Sequence, residues 1–136
     1  MNIDLMSQEL NRDEGKRNKV YNDTCGIPTI AVGRNLRDKG LSDDEVAYLL
    51  KNDIAECMAC LDKNLPWWRD MTENRQRALL NMRFNLGLNR LLGFVHTLVD
   101  MKAGRYESAA AGMLGSAWAT QVGARALRLA KMMREG

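Results

Sequence analysis

No stretch of this 136-residue chain is long and apolar enough to cross a bilayer. The longest uncharged run, Ser108 to Ala124, is diluted by Gly, Ser, Thr and Gln. The first residues lack the basic start and apolar centre of a secretory leader, so synthesis and folding in the cytoplasm are expected. One histidine is present, His96, and it has no ligand or nucleophile partner. It reads as a surface helix residue. Three cysteines, an odd number without a leader, argue against a disulfide framework. Cys57 and Cys60 form a C-x-x-C pair. A zinc site needs about two more ligands, and only Cys25 and His96 remain, at no ligand-pair spacing. The pair therefore reads as two free thiols near the end of a long helix. There is no internal repeat, low-complexity segment or nucleic-acid-binding motif.

What is present bounds the class. Length makes one domain the prior. Hydrophobic residues at 46% and charged residues at 27% are ordinary for a globular chain. A net charge of +3 favours an anionic partner but is too small to name one.

Periodicity predicts a helix over 1–14, with Ile3, Leu5/Met6 and Leu10 apolar and Gly15 as its stop. Val20–Tyr21 and Thr29–Val32 read as short strands around a Thr24-Cys25-Gly26 turn. Pro28 cannot donate a ladder bond, so the pairing should be short or at an edge. Ser42-Asp43-Asp44-Glu45 is a capping box, opening a helix of about Asp43 to Asp62. Trp67 and Trp68 read as packing residues. Thr72 caps a helix of about Glu73 to Leu86, whose buried stripe is Leu79, Met82 and Leu86. Helices follow from about Phe94 to Ala103 and from about Arg105. The last helix carries Arg125, Arg128, Lys131 and Arg134, read as a solvated face. The class is α+β, mostly helical.

Between the first helix and the hairpin lie two carboxylates and a hydroxyl in ordered spacing. Eight residues separate Glu14 from Asp23 and five separate Asp23 from Thr29. Glu14 ends a helix while Asp23 and Thr29 belong to a hairpin, so the two acids can face each other across a gap. Glycoside hydrolysis needs such a gap. One carboxylic acid protonates the leaving oxygen and the other group places or activates a water on the opposite face of the sugar. A threonine hydroxyl can hold that water, since it donates and accepts.

The run Asp13-Glu14-Gly15, Tyr21-Asn22-Asp23-Thr24 and Gly26-Ile27-Pro28-Thr29-Ile30 resembles the phage-type lysozyme (endolysin, muramidase) family, T-even-phage-like. Its Glu-x8-Asp-x5-Thr triad is matched position for position. Asn81-Met82-x-Phe84-x-x-Gly87, Gly93-Phe94-x-x-Thr97-Leu98 and Ser116 to Ala126 resemble the same family, in order. The resemblance implies a two-lobe fold within one domain: residues 12–41 as a small β lobe, 42–63 as a bridging helix and 64–136 as a helical lobe on which the N-terminal helix packs. It implies hydrolysis of the β-1,4 bond between N-acetylmuramic acid and N-acetylglucosamine in peptidoglycan, with inversion and with no metal or cofactor. Glu14, Asp23 and Thr29 would be catalytic. Phe84 and Thr97 would line the saccharide cleft, and Arg125 would support the catalytic acid.

A lytic transglycosylase, or a non-catalytic wall-binding protein of the same fold, are the rival readings. The resemblance also implies a monomer that binds peptidoglycan, not nucleic acid, and has no stable membrane anchor. It would reach the wall from the host cytoplasm once the membrane is permeabilised. Two positions depart from the family pattern. Ala31 stands where glycine is usual, which would strain the chain if φ is positive there. Arg34 stands where some members carry histidine.

Overall fold

The structure is a computed structural model that describes residues 1–136. The chain forms two compact units, Met1–Leu49 and Leu50–Gly136. No helix is long and apolar enough to cross a membrane.

The first unit begins with α1, Ile3–Glu14, opened by the Asn2 side chain, which accepts from the Leu5 N–H. It ends where Gly15 turns to φ 77° and donates to the Asn11 carbonyl. Three strands follow: β1 (Arg17–Asn22), β2 (Pro28–Ala31) and β3 (Arg34–Asn35). They form an antiparallel sheet in the order β1-β2-β3. Pro28 is the first residue of the central strand, where its missing N–H costs no interior ladder bond. The pairing is short, as expected, but not at an edge. β3 escaped the sequence reading because two residues are too few to show alternation.

Ala31 sits at φ 61°, the one non-glycine residue with positive φ. The sequence raised this possibility, and its cost follows from the Cβ clash with the backbone. Left-handed alanine costs roughly 1–2 kcal/mol, while added glycine freedom in the unfolded chain returns roughly 0.4–1 of it. Ala31→Gly is therefore expected to stabilise the protein by about 0.5–1 kcal/mol, read as a rise in the urea midpoint at constant slope.

The helix α2, Asp43–Asn64, starts at the expected capping box. The Glu45 N–H donates to Ser42 Oγ at 3.2 Å, and the Ser42 N–H donates to Glu45 Oε1 at 3.0 Å. Arg34 Nη1 donates to the same Oε1 at 2.8 Å and to the Gly40 carbonyl at 3.2 Å. The Arg34 bond, then those from Ser42, hold the Glu45 carboxyl at about 2, down from an ordinary 4.5. Arg34 thus ties β3 to the start of α2. Among the apolar residues of α2, Leu61 and Cys57 are buried, whereas Val46, Leu49, Leu50 and Ile54 remain exposed.

The second unit carries the main core. After a 3₁₀ turn, Pro66–Asp70, come α3 (Glu73–Leu86), α4 (Leu88–Leu92), α5 (Val95–Lys102), α6 (Tyr106–Leu114), α7 (Ala117–Val122) and α8 (Ala124–Glu135). Leu61, Trp68, Leu79, Met82, Leu91, Met101, Met113, Trp118, Leu129 and Met133 meet in one buried cluster. Trp68 belongs to it and Trp67 packs partly buried against it, which is the packing role expected. Unbranched methionines fill the irregular space between short helices. Ala109 and Ala110 are buried in α6 and let its neighbours approach closely.

Two polar devices close this unit. Arg75 on α3 reaches the end of α8, donating from Nε to the Met133 carbonyl at 2.7 Å and from Nη2 to that of Arg134 at 3.1 Å. These carbonyls have no intrahelical partner, and a guanidinium suits the negative end of the helix dipole. Its face lies over the Tyr106 ring, 3.5 Å from the centroid.

Asp62 at the end of α2 anchors the 3₁₀ turn. Its Oδ1 accepts from Trp68 Nε1 at 2.7 Å and Arg69 Nε at 2.8 Å, and its Oδ2 from Arg69 Nη2 at 3.0 Å. The Arg69 and then the Trp68 bonds hold its carboxyl at about 2, below the ordinary 3.8. A depressed folded-state pKa gives stability that is complete above the unfolded value and lost as pH falls through the folded one. Asp62→Asn should therefore melt below wild type at pH 6. The gap should close between about pH 4 and about pH 2, which thermal melts across that window will read.

Candidate active site

Glu14 is the last residue of α1, exposed, with the chain turning away at Gly15. The turn between β2 and β3 lies against its carboxyl group. A Cβ built on Gly33 would stand 3.4 Å from Glu14 Oε2, and Gly33 has φ 71°. Glycine there serves the left-handed turn, while a Cβ would meet Glu14 only at ordinary contact distance. The resemblance did not include Gly33. Its only sequence signal is a glycine four residues past Thr29.

Asp23 opens the hairpin turn. Its Oδ1 accepts from the N–H of Cys25 at 2.8 Å and of Ile27 at 2.9 Å, an Asx turn that fixes the carboxylate to its own loop. The Asp23 N–H donates to the Ile27 carbonyl at 3.0 Å, and the Gly26 N–H to that of Asp23 at 3.0 Å. Both side-chain bonds fall on Oδ1 and leave Oδ2 without one.

Thr29 is 4% exposed on the central strand, in register with Tyr21 on one side and Asn35 on the other. Its Oγ1 donates to the Ile27 carbonyl at 2.9 Å. That bond uses its one proton and leaves its lone pairs as acceptors. The Ile27 backbone therefore holds both residues: its N–H meets Asp23 and its carbonyl meets Thr29. A backbone group of this kind leaves no mark in side-chain patterns.

Phe84, Thr97 and Arg125 belong to the second unit. Phe84 is 44% exposed on α3 and lines a cavity of about 680 Å³ with Trp68, Leu80, Asn81 and Arg125. Arg125 donates from Nε at 2.9 Å and from Nη2 at 2.6 Å to Asn81 Oδ1. Asn81 thus aims the guanidinium along the wall that carries Phe84, a role its place in the motif did not reveal. Thr97 is not on that wall. It is 6% exposed and lies beneath Gly112, where α5 meets α6. In the same unit, Trp118 donates to Asn85 Oδ1 at 2.8 Å and packs edge-on to Phe94.

A family profile described as phage lysozyme matches residues 11–134. The chain belongs to the phage lysozyme family. At the level of that family its function is lysozyme-type, cell-wall-lytic hydrolysis. It is 31% identical to the endolysin of Salmonella phage P22 over 77% of this chain and 75% of the relative. It is 29% identical to the pre-baseplate central spike protein Gp5 of Enterobacteria phage T4 over 96% of this chain. There it spans only 28% of the relative's length. A probable T4-type lysozyme of Dictyostelium discoideum is 23% identical over 98% of this chain and 96% of the relative. The small three-stranded sheet followed by seven α-helices in this phage lysozyme chain is the α+β, mostly helical architecture expected.

Proposed function

We propose that the chain hydrolyses the β-1,4 bond between N-acetylmuramic acid and N-acetylglucosamine in bacterial peptidoglycan. Glu14 acts as general acid toward the glycosidic oxygen. Asp23, through Oδ2, orients the attacking water or offsets the developing positive charge on the sugar. Thr29 accepts a hydrogen bond from that water. The observation that carries the reading is the Ile27 backbone, whose N–H and carbonyl tie Asp23 and Thr29 to one turn by bonds of 2.9 Å each. Pre-set acceptors of this kind need no reorganisation at the moment of reaction. Phe84, exposed on its cavity wall, serves saccharide binding, as the resemblance assigns it, whereas Thr97 lies buried beneath Gly112 and is not assigned a contact with the sugar.

An inverting route needs room for a water between the carboxyl groups, about 6.5–9.5 Å of separation, against about 5–5.5 Å for retention. Proton NMR of freshly cut glycan tests the whole reading. The expected first product is a free reducing end of inverted, α configuration. A β product would overturn inversion, a 1,6-anhydro end would mean a lytic transglycosylase, and a wall-bound protein releasing nothing would be a binding module.

A second setting comes from the likeness to a phage spike protein, which covers almost all of this chain. The same bond would then be cut from outside the cell during entry rather than from inside during lysis. Adding protein to intact cells and to cells with permeabilised membranes separates these settings. The endolysin reading expects clearing in the permeabilised cells.

A further inference from the structure

Phe84 and Asn85 lie three and four residues beyond Asn81 on α3, so the three side chains neighbour one another along one side of the helix. Each asparagine is held from another helix of the same unit. Arg125 on α8 donates to Asn81 Oδ1, and Trp118 Nε1 on α7 donates to Asn85 Oδ1 at 2.8 Å. Guanidinium and indole N–H groups only donate, so the amide atom that meets each must be the oxygen. Neither amide can turn over without setting donor against donor. The anchor of Asn85 is itself fixed, since Trp118 is buried and packs edge-on to Phe94. Asn85 is exposed, as is Phe84 beside it, and its Nδ2 is thus a donor of set direction.

We propose that Asn85 is a specificity-determining residue that donates through Nδ2 to the acetamido carbonyl of a sugar lying against Phe84, with Trp118 as its positioning residue. A donor that cannot reverse selects a group that only accepts. Sugar hydroxyls donate as well as accept, so a freely turning amide would serve them equally well. The acetamido carbonyl only accepts, and its methyl suits the exposed ring of Phe84. On the saccharide reading above, on which this role rests, Asn85 tells an N-acetylated sugar from one with a free amine. The lactyl carboxylate of N-acetylmuramic acid is the other acceptor-only group on the glycan backbone, and the test separates the two.

Asn85→Asp keeps the oxygen that Trp118 needs and the shape of the side chain, and replaces the outward donor by an acceptor. The full chain carrying Glu14→Gln, to suppress turnover, is titrated by NMR with the peptidoglycan tetrasaccharide, N-acetylated or de-N-acetylated. Adding Asn85→Asp is expected to weaken binding of the N-acetylated form about three- to tenfold, the loss of one hydrogen bond. The de-N-acetylated form should bind at least as tightly as before, because a carboxylate accepts from an ammonium. Trp118→Phe keeps a buried ring and loses the N–H, so Asn85 can turn over and the ratio of the two affinities should fall part of the way. A purely structural role would weaken both glycans alike, and that result, or an unchanged affinity for the N-acetylated one, would overturn the proposal. A weakening that vanishes only when the lactyl carboxyl is reduced would move the contact to that group and overturn it too. Turnover in the Glu14→Gln background would tell against Glu14 as the acid, whereas the ratio of affinities tells only on Asn85. Binding of neither glycan would remove the saccharide reading itself, and this role with it.

Discussion

Glu14→Gln is expected to slow the clearing of peptidoglycan suspensions by about 10²–10⁴-fold, the usual contribution of a positioned general acid. Glutamine keeps the shape and the length of the side chain and loses only the transferable proton. The site on the protein tolerates that exchange. Glu14 is exposed at the end of α1, and what approaches it is the glycine of the β2–β3 turn rather than a packed side chain. Exposed substitutions of this kind stay within about ±0.5 kcal/mol. At the slopes usual for chains of this length that is about 2 °C in melting temperature. The two readings together are what make the test sharp: a large loss of rate with an unmoved melt assigns the proton to Glu14. Clearing at the wild-type rate by the glutamine protein would remove Glu14 from the chemistry, and the hydrolytic proposal with it.

Local features of the chain were readable in advance because their causes are local. The stop of α1 at Gly15, the Ser42–Glu45 box and the Thr72 cap each depend on residues within four of one another. The spacing of Glu14, Asp23 and Thr29 was visible for the same reason, since one helix end and one hairpin turn hold all three. Features built by distant partners were not visible. Arg75 reaches residues 58 and 59 positions away to close α8. No periodicity marks it apart from any other helical arginine. Arg34 was noted only as a departure from a family pattern, yet it fastens β3 to the start of α2. Thr97 shows a different gap: sequence placed it in a motif, and only packing shows that it lies buried under Gly112. Ala31 is the reverse case. A glycine expected from the pattern and missing from the chain correctly flagged a backbone position with positive φ.

The second large effect is expected where α5 meets α6. A Cβ added at Gly112 would fall inside the contact distance of Thr97 Oγ1 and stand 3.5 Å from Thr97 Cβ. Threonine is branched at Cβ and stiff about χ1, so its hydroxyl cannot swing clear cheaply. Overpacking of this kind costs about 1–3 kcal/mol. Against it stands the gain from replacing a mid-helix glycine by alanine, about 0.8–1 kcal/mol. The clash should win, and Gly112→Ala is expected to destabilise by about 1–2 kcal/mol net. In a Thr97→Ala background the offending oxygen is gone, and the methyl meets only ordinary contact. The same Gly112→Ala change should then become stabilising, by about 0.5–1 kcal/mol. A reversal of sign within one double-mutant cycle is a coupling between the two positions that neither single change can imitate. Thr97→Ser, which keeps the oxygen but loses the branch that stiffens χ1, should relieve the clash only in part and give a result between the two backgrounds. Urea melts of the four combinations decide it. If Gly112→Ala shifts the midpoint equally in both backgrounds, the close approach of α5 and α6 at Thr97 is not what sets the stability there.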